Sequence, residues 1–340
     1  MSKPFSATRS IWAWSRTRRR MGVALVASCA LGCESPTNVG HALLPPTPNL
    51  VRLVSDSGDE VGGGLLYTYS QANAVISVSA TGGHLSIGVV GDQWWSSDIY
   101  VPNAPTQLRP GSYLGLAQHP FNDPNDGGLD WRGEGRSCGS VDASLTIDSV
   151  KYMATTLTAI DLRFDQHCGG GAPKLHGELH WFAGDTTSPP GPVNPPPSAL
   201  WRQSTGSTPA SGNFLYLQSD ETDPIGQGKT YLYGGAAVTE DSGLLTASNS
   251  GWVGRFQPMN SLPQLQPGYY ANLMRYPFNN PTKGGLAWSG QGRACNRING
   301  WFVIDSVVRV AGQLSLVDMR FEQHCNGRTD ALRGAMHWTR

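Results

Sequence analysis

An internal duplication constrains this chain more than any other feature. Shifting the sequence by 157 residues lays residues 110–181 on residues 267–338 without a gap, and 33 of the 72 positions are identical. Upstream, a shift of 164 matches SDSGDEVGGGLLYTY at residues 55–69 to SDETDPIGQGKTYLY at residues 219–233. The fold must therefore be one unit of ordinary domain size, built twice. The copies span residues 50–182 and 200–340. Between them, residues 183–199 (AGDTTSPPGPVNPPPSA) are rich in Pro, Ser and Thr and predict an extended, semi-rigid linker.

Within each copy the hydrophobic period is two. In AIDLRFDQHC, Ile160, Leu162, Phe164, Gln166 and Cys168 share one face, and Asp161, Arg163, Asp165 and His167 share the other. The second copy repeats this with Val317, Met319, Phe321, Gln323 and Cys325 opposite Asp318, Arg320, Glu322 and His324. That alternation describes a half-buried strand. SLTIDSVKYM and WFVIDSVVRV precede it through the turns ATT and AGQ, which predicts a β-hairpin in each copy. With 42 Gly and 24 Pro punctuating short strands, the expected fold is all-β: two tandem β-sandwich modules of jelly-roll-like type, with a closed barrel as the other architecture.

The N-terminus reads as an export signal. Lys3 and five arginines within residues 1–20, with no acidic residue, precede the apolar run MGVALVASCALG and Cys33. The run falls short of the roughly 20 residues that span a bilayer. ALGC resembles a bacterial lipobox, which makes residues 1–32 a lipoprotein signal, Cys33 the lipid carrier and residues 33–49 a Pro-containing tether. VASC at Cys29 fits the same pattern, but cleavage before Cys33 leaves an even four thiols in the body of the protein. Loss of the leader leaves 19 basic against 25 acidic residues, a balance that argues against a nucleic-acid partner.

Those four thiols are equally spaced. Cys138 and Cys168 are 30 residues apart, as are Cys295 and Cys325, and each pair brackets a hairpin. In an oxidising compartment they predict one disulfide per module, worth about 3.6 kcal/mol in the chain-entropy model. Strand alternation sends each Cys and its adjacent His to opposite faces, against a catalytic Cys-His dyad. Zinc-ligand steps such as CxxC are absent. Asp161 and Arg163 are expected to form a surface ion pair.

Oxygen ligands for calcium are sought in two places. The loop NDPNDGGLD is acidic, but its counterpart NNPTKGGLA has Lys283 for Asp126 and Ala287 for Asp130, so a cation is not its shared purpose. The SDxxD pairs, Asp56 with Asp59 and Asp220 with Asp223, are the better calcium candidates, against an Asx-type turn. Among the aromatics, Trp131, Trp181, Trp288 and Trp338 recur in both copies and are assigned to the core. Trp95 aligns with Trp252, leaving Trp94 unmatched. Trp94, Trp95, Tyr100, Trp252, Tyr269 and Tyr270 form the candidate ligand platform.

The paired segments PFNxPxxGGLxWxGxGRxC and FxQHCxGxxxxLxGxxHW resemble an FEQHC-type module of secreted and surface proteins from bacteria such as myxobacteria and actinobacteria. The resemblance implies export and modularity, names no ligand, and marks Arg136, Cys138, Gln166, His167 and Cys168, with Arg293, Cys295, Gln323, His324 and Cys325, as signature positions. The expected protein is a non-catalytic, lipid-anchored component of the cell envelope, at the outer membrane or cell surface, acting as a structural or protein-interaction module. Carbohydrate binding through exposed Trp and Tyr is the alternative, ahead of a hydrolase or a metal-binding protein; neither HExxH nor SxxK occurs.

Overall fold

The computed structural model describes residues 48–340 apart from Pro105, so the leader, Cys29, Cys33 and most of the tether lie outside the described residues. The described chain is all-β. The first module contains β1 (Leu50–Ser55), β2 (Leu66–Tyr69), β3 (Val75–Thr81), β4 (His84–Val90), β5 (Trp94–Tyr100), β6 (Gly111–Gln118), β7 (Gly128–Gly133), β8 (Val141–Met153), β9 (Thr156–Cys168) and β10 (Lys174–Phe182). Its strand order is β2-β1-β10-β9-β8-β6-β7-β5-β4-β3.

The second module repeats that order strand for strand. It contains β11 (Phe214–Ser219), β12 (Thr230–Tyr233), β13 (Ala237–Asp241), β14 (Leu244–Asn249), β15 (Trp252–Gln257), β16 (Gly268–Arg275), β17 (Gly285–Gly290), β18 (Ile298–Val310), β19 (Gln313–Cys325) and β20 (Ala331–Thr339). Every pairing is antiparallel except the short contacts β6–β7 and β16–β17.

Each ribbon folds into two layers at β6 or β16. There the ladder slips between Tyr113 and Leu116, or between Tyr270 and Leu273, and one residue takes positive φ: Gly115 at 65° and Asn272 at 53°. Glycine and asparagine are the residues that tolerate that backbone, which is why this non-identical pair serves both copies. The bulge passes the strand from β8 to β7, and a single apolar core fills the space between layers. Across that core Trp131 stacks on Phe164 and Trp288 on Phe321, with ring centroids 5.0 and 4.9 Å apart. Gly177 is required beside this stack, because a Cβ there would come within 1.9 Å of the Phe164 ring.

The predicted hairpins form as β8–β9 and β18–β19, and the predicted disulfides Cys138–Cys168 and Cys295–Cys325 close their open ends. The expected pair of Asp161 with Arg163 does not form. Alternate residues of one strand stand nearly 7 Å apart, farther than cross-strand neighbours. Arg163 instead binds Asp148 on β8 at 2.8 and 2.9 Å.

The linker does not stand clear of the second module. Val193 exchanges two backbone hydrogen bonds with Tyr269, 2.9 and 3.0 Å long. The modules also touch directly: the buried Asn280 side chain donates to the Asn73 carbonyl (2.9 Å) and to Asp92 Oδ1 (3.0 Å), and Lys283 pairs with Asp92.

Candidate functional site

The motif that dominates the sequence folds into scaffold in both copies. Gln166 is fully buried and uses its amide as a piece of backbone: Oε1 accepts from Trp131 N–H at 2.7 Å and Nε2 donates to the Trp131 carbonyl at 2.9 Å. Gln323 clamps Trp288 in the same way at 2.9 and 2.8 Å. The clamp ties the two layers together where no strand pairing can. Arg136 and Arg293 lie over the rings of Trp95 and Trp252 and reach Tyr67 and the Ile225 carbonyl. His167 Nδ1 sits 2.9 Å from the Gly171 carbonyl, and His324 Nε2 lies 3.2 Å from Glu322.

The SDxxD acids are occupied by turn backbone. Asp59 is buried and accepts from Gly62 N–H (2.6 Å), Val61 N–H (3.3 Å) and the Ser55 hydroxyl (2.7 Å). Asp223 accepts from Gly226 N–H (2.6 Å) and Ser219 (2.9 Å). Asp56 receives Lys174 N–H, and Asp220 receives Ala331 N–H and Arg333. Among the described residues, no group of three or more His, Cys, Asp or Glu side chains is arranged to hold a metal ion.

Two arrangements resemble catalytic sites in residue type only. Ser149 and His180 both meet Asp161, as Ser306 and His337 meet Asp318, so serine and imidazole share a carboxylate instead of pairing as nucleophile and base. The run from Gly135 to Gly139 has GxSxG spacing, but Ser137 lies in a β7–β8 connection and not on the strand-to-helix elbow that chemistry uses.

The aromatic platform divides. Trp95, Trp252 and Tyr270 are core residues with no ring face at the surface, and Tyr269 packs edge-on to Trp301. Trp94 is 61% exposed, and it shares the outer face of β5 with Ser96, Asp98 and Tyr100. In direct cross-strand register, Ser79, Ser86, Asp98 and Asp130 form one row of this face, and Gly88, Ser96 and Arg132 form the next. Arg132 bridges Asp98 (2.9 Å) and Asp130, while His84 and Ser86 each approach Asp98 at 3.2 Å. His119 stacks against His84 and Tyr100, and Phe121, 83% exposed, ends the face. Two hollows of 470 and 310 Å³ lie here, and Asp98 lines both.

The second module keeps only the end of this face, with Phe278, 70% exposed, in place of Phe121, and lacks the rest. Register and repeat place Gly251, Arg255 and Gln257 where the first module has Trp94, Asp98 and Tyr100, and Leu244, Ala287 and Ser289 where it has His84, Asp130 and Arg132. Sequence reading missed His84, Asp98, His119 and Arg132 because they meet only through the pairing of β4 and β7 with β5 and the approach of the loop after β6. The signal was the difference between the copies, visible in the exchange of Asp130 for Ala287.

The electrostatics of the face centre on Asp98. Burial opposes ionisation of Asp98, but hydrogen bonds from Arg132 and Ser86 and the neighbouring charges outweigh it and hold the carboxyl below the usual range. Asp98 is thus a fixed acceptor, whereas a general acid needs a raised pKa. The face offers carboxylate acceptors, Arg and His donors, serine hydroxyls and flat aromatic surfaces at both ends. No family model, curated protein or solved structure matches the chain.

Proposed function

We propose that the protein is a non-catalytic, exported envelope lipoprotein whose first module binds a neutral polysaccharide on the outer face of β3, β4, β5 and β7, with the second module as its brace. The observation that carries this reading is the polar face flanked by Trp94 at one end and Tyr100 at the other, present in one copy of a duplicated scaffold and replaced in the other, where only the exposed Phe121 keeps an equivalent in Phe278. Sugar hydroxyls match its carboxylate acceptors and guanidinium donors, and aromatic rings cover the apolar faces of pyranoses. Trp94 and Tyr100 are six residues apart on one strand, about 20 Å, a length suited to several linked sugars. A protein partner would instead favour an apolar centre depleted of charge.

Trp94→Ala and Phe121→Ala are each expected to weaken retention on the recognised polysaccharide at least tenfold, measured by affinity electrophoresis across a panel of neutral glycans. Both residues are exposed, so the melting temperature should stay within about 2 °C of the parent. A large fall in melting temperature, or undiminished retention, would remove the reading.

Anchorage follows from the leader. Cys33→Ala is expected to move the protein from the membrane to the soluble fraction, since an acyl chain and not an apolar helix holds it. Membrane retention of that variant would place the anchor elsewhere.

A further inference from the structure

The opposite sheet of the first module carries a second feature, independent of the sugar face. In the second module the equivalent surface is covered by the chain itself. Val193 forms its β-bridge with Tyr269 at the edge of β16, the Trp201 carbonyl accepts from Arg320 Nη1 at 2.9 Å, and Arg202 reaches Asp305 at 3.3 Å. The Trp201 ring lies parallel to Tyr216, with centroids 6.4 Å apart. These contacts fall on β16, β19, β18 and β11, so residues 193–202 cross the sheet. The Arg320 side chain is left 2% exposed.

Beneath the linker, one cross-strand row reads Leu232, Tyr216, Ala335, Arg320, Val303 and Tyr269. The same row in the first module reads Thr68, Arg52, Glu178, Arg163, Thr146 and Ser112. The two gripping residues persist, Arg163 for Arg320 and Asp148 for Asp305, and they bind each other as Arg320 and Asp305 do at 3.0 Å, but the Arg163 side chain is 64% exposed where that of Arg320 is 2%. The bed between them has changed from apolar to polar. Among the described residues no segment crosses the equivalent place in the first module, and a groove of 690 Å³ lies there.

We propose that this groove binds an extended peptide segment of a partner protein, seated as residues 193–202 seat on the second module. Arg163 donates to a backbone carbonyl, Asp148 takes a following basic side chain, and the edge of β6 at Ser112 pairs with the peptide backbone. Arg52 and Glu178 replace the ring of Tyr216 and the methyl of Ala335, so the position equivalent to Trp201 takes a polar side chain able both to donate and to accept. A peptide is favoured over a glycan because both retained groups are those that hold a carbonyl and an arginine in the sister module.

Two fluorescent peptides test this on the mature protein: PVNPPPSALWR, the linker's own sequence, and the same peptide with Gln in place of Trp. The Gln peptide is expected to bind saturably and at least tenfold tighter than the Trp peptide, and Arg163→Ala should cost it tenfold or more. Combining Arg52→Tyr with Glu178→Ala rebuilds the bed of the second module and should reverse the preference. Absence of saturable binding by either peptide, indifference to Arg163→Ala, or an unreversed preference would each overturn the proposal, whatever the outcome at the sugar face.

Discussion

Replacing Gln323 by alanine is expected to lower the stability of the second module by about 3 to 5 kcal/mol. The side chain is fully buried and satisfies both backbone groups of Trp288, which sits in the core where the strand pairing of β17 with β19 is absent. Removing it strands a buried N–H and a buried carbonyl, each costing about 1 to 3 kcal/mol, and opens a cavity beside the disulfide. Gln166→Ala should do the same to the first module. Urea unfolding followed by tryptophan fluorescence measures the change, and a loss below about 1 kcal/mol would show that the layers are held by packing alone.

Opening a disulfide should cost nearly as much. Each bridge closes a loop of 30 residues, for which the chain-entropy model gives about 3.6 kcal/mol. Changing Cys295 and Cys325 together to Ser should destabilise the second module by about that amount and leave the first unchanged, since the bridges lie within modules. Thiol titration of the denatured, exported protein should find no free thiol among the four positions. Free thiols there, or peptides cross-linked between modules, would contradict the assignment.

The parts of the fold that were legible in sequence are those dictated by local geometry. The alternation around Gln166 and Gln323 defined a strand and its inward face, and equal cysteine spacing defined the bridges. The role of the glutamine was not legible, because a buried amide clamping the backbone of a residue 35 positions earlier has no periodic signature. Ion pairs were misjudged for a related reason: Arg163 and Asp161 are neighbours in sequence, yet Asp148 is nearer across the hairpin. Nor could the linker's path be read, since its Pro-rich composition describes stiffness and not what Trp201 will lie against.

The candidate site was half visible. Trp94 stood out as the aromatic with no partner in the other copy, and it is the exposed member of its pair. Trp95 beside it belongs to the core, as strand alternation requires of adjacent residues. Asp98, Asp130 and Arg132 come together only through the β5–β7 pairing, which joins strands separated by β6 in the chain. Their shared feature in sequence is that the second copy lacks all three.

The central claim is that two copies share one scaffold and that one of them carries the sugar face. Isothermal titration of the mature protein, with an oligosaccharide selected from the glycan panel, tests it most directly through stoichiometry. The account predicts one site per chain, abolished by Trp94→Ala. Two equivalent sites per chain, or one site untouched by that substitution, would place binding on features the modules have in common and contradict it.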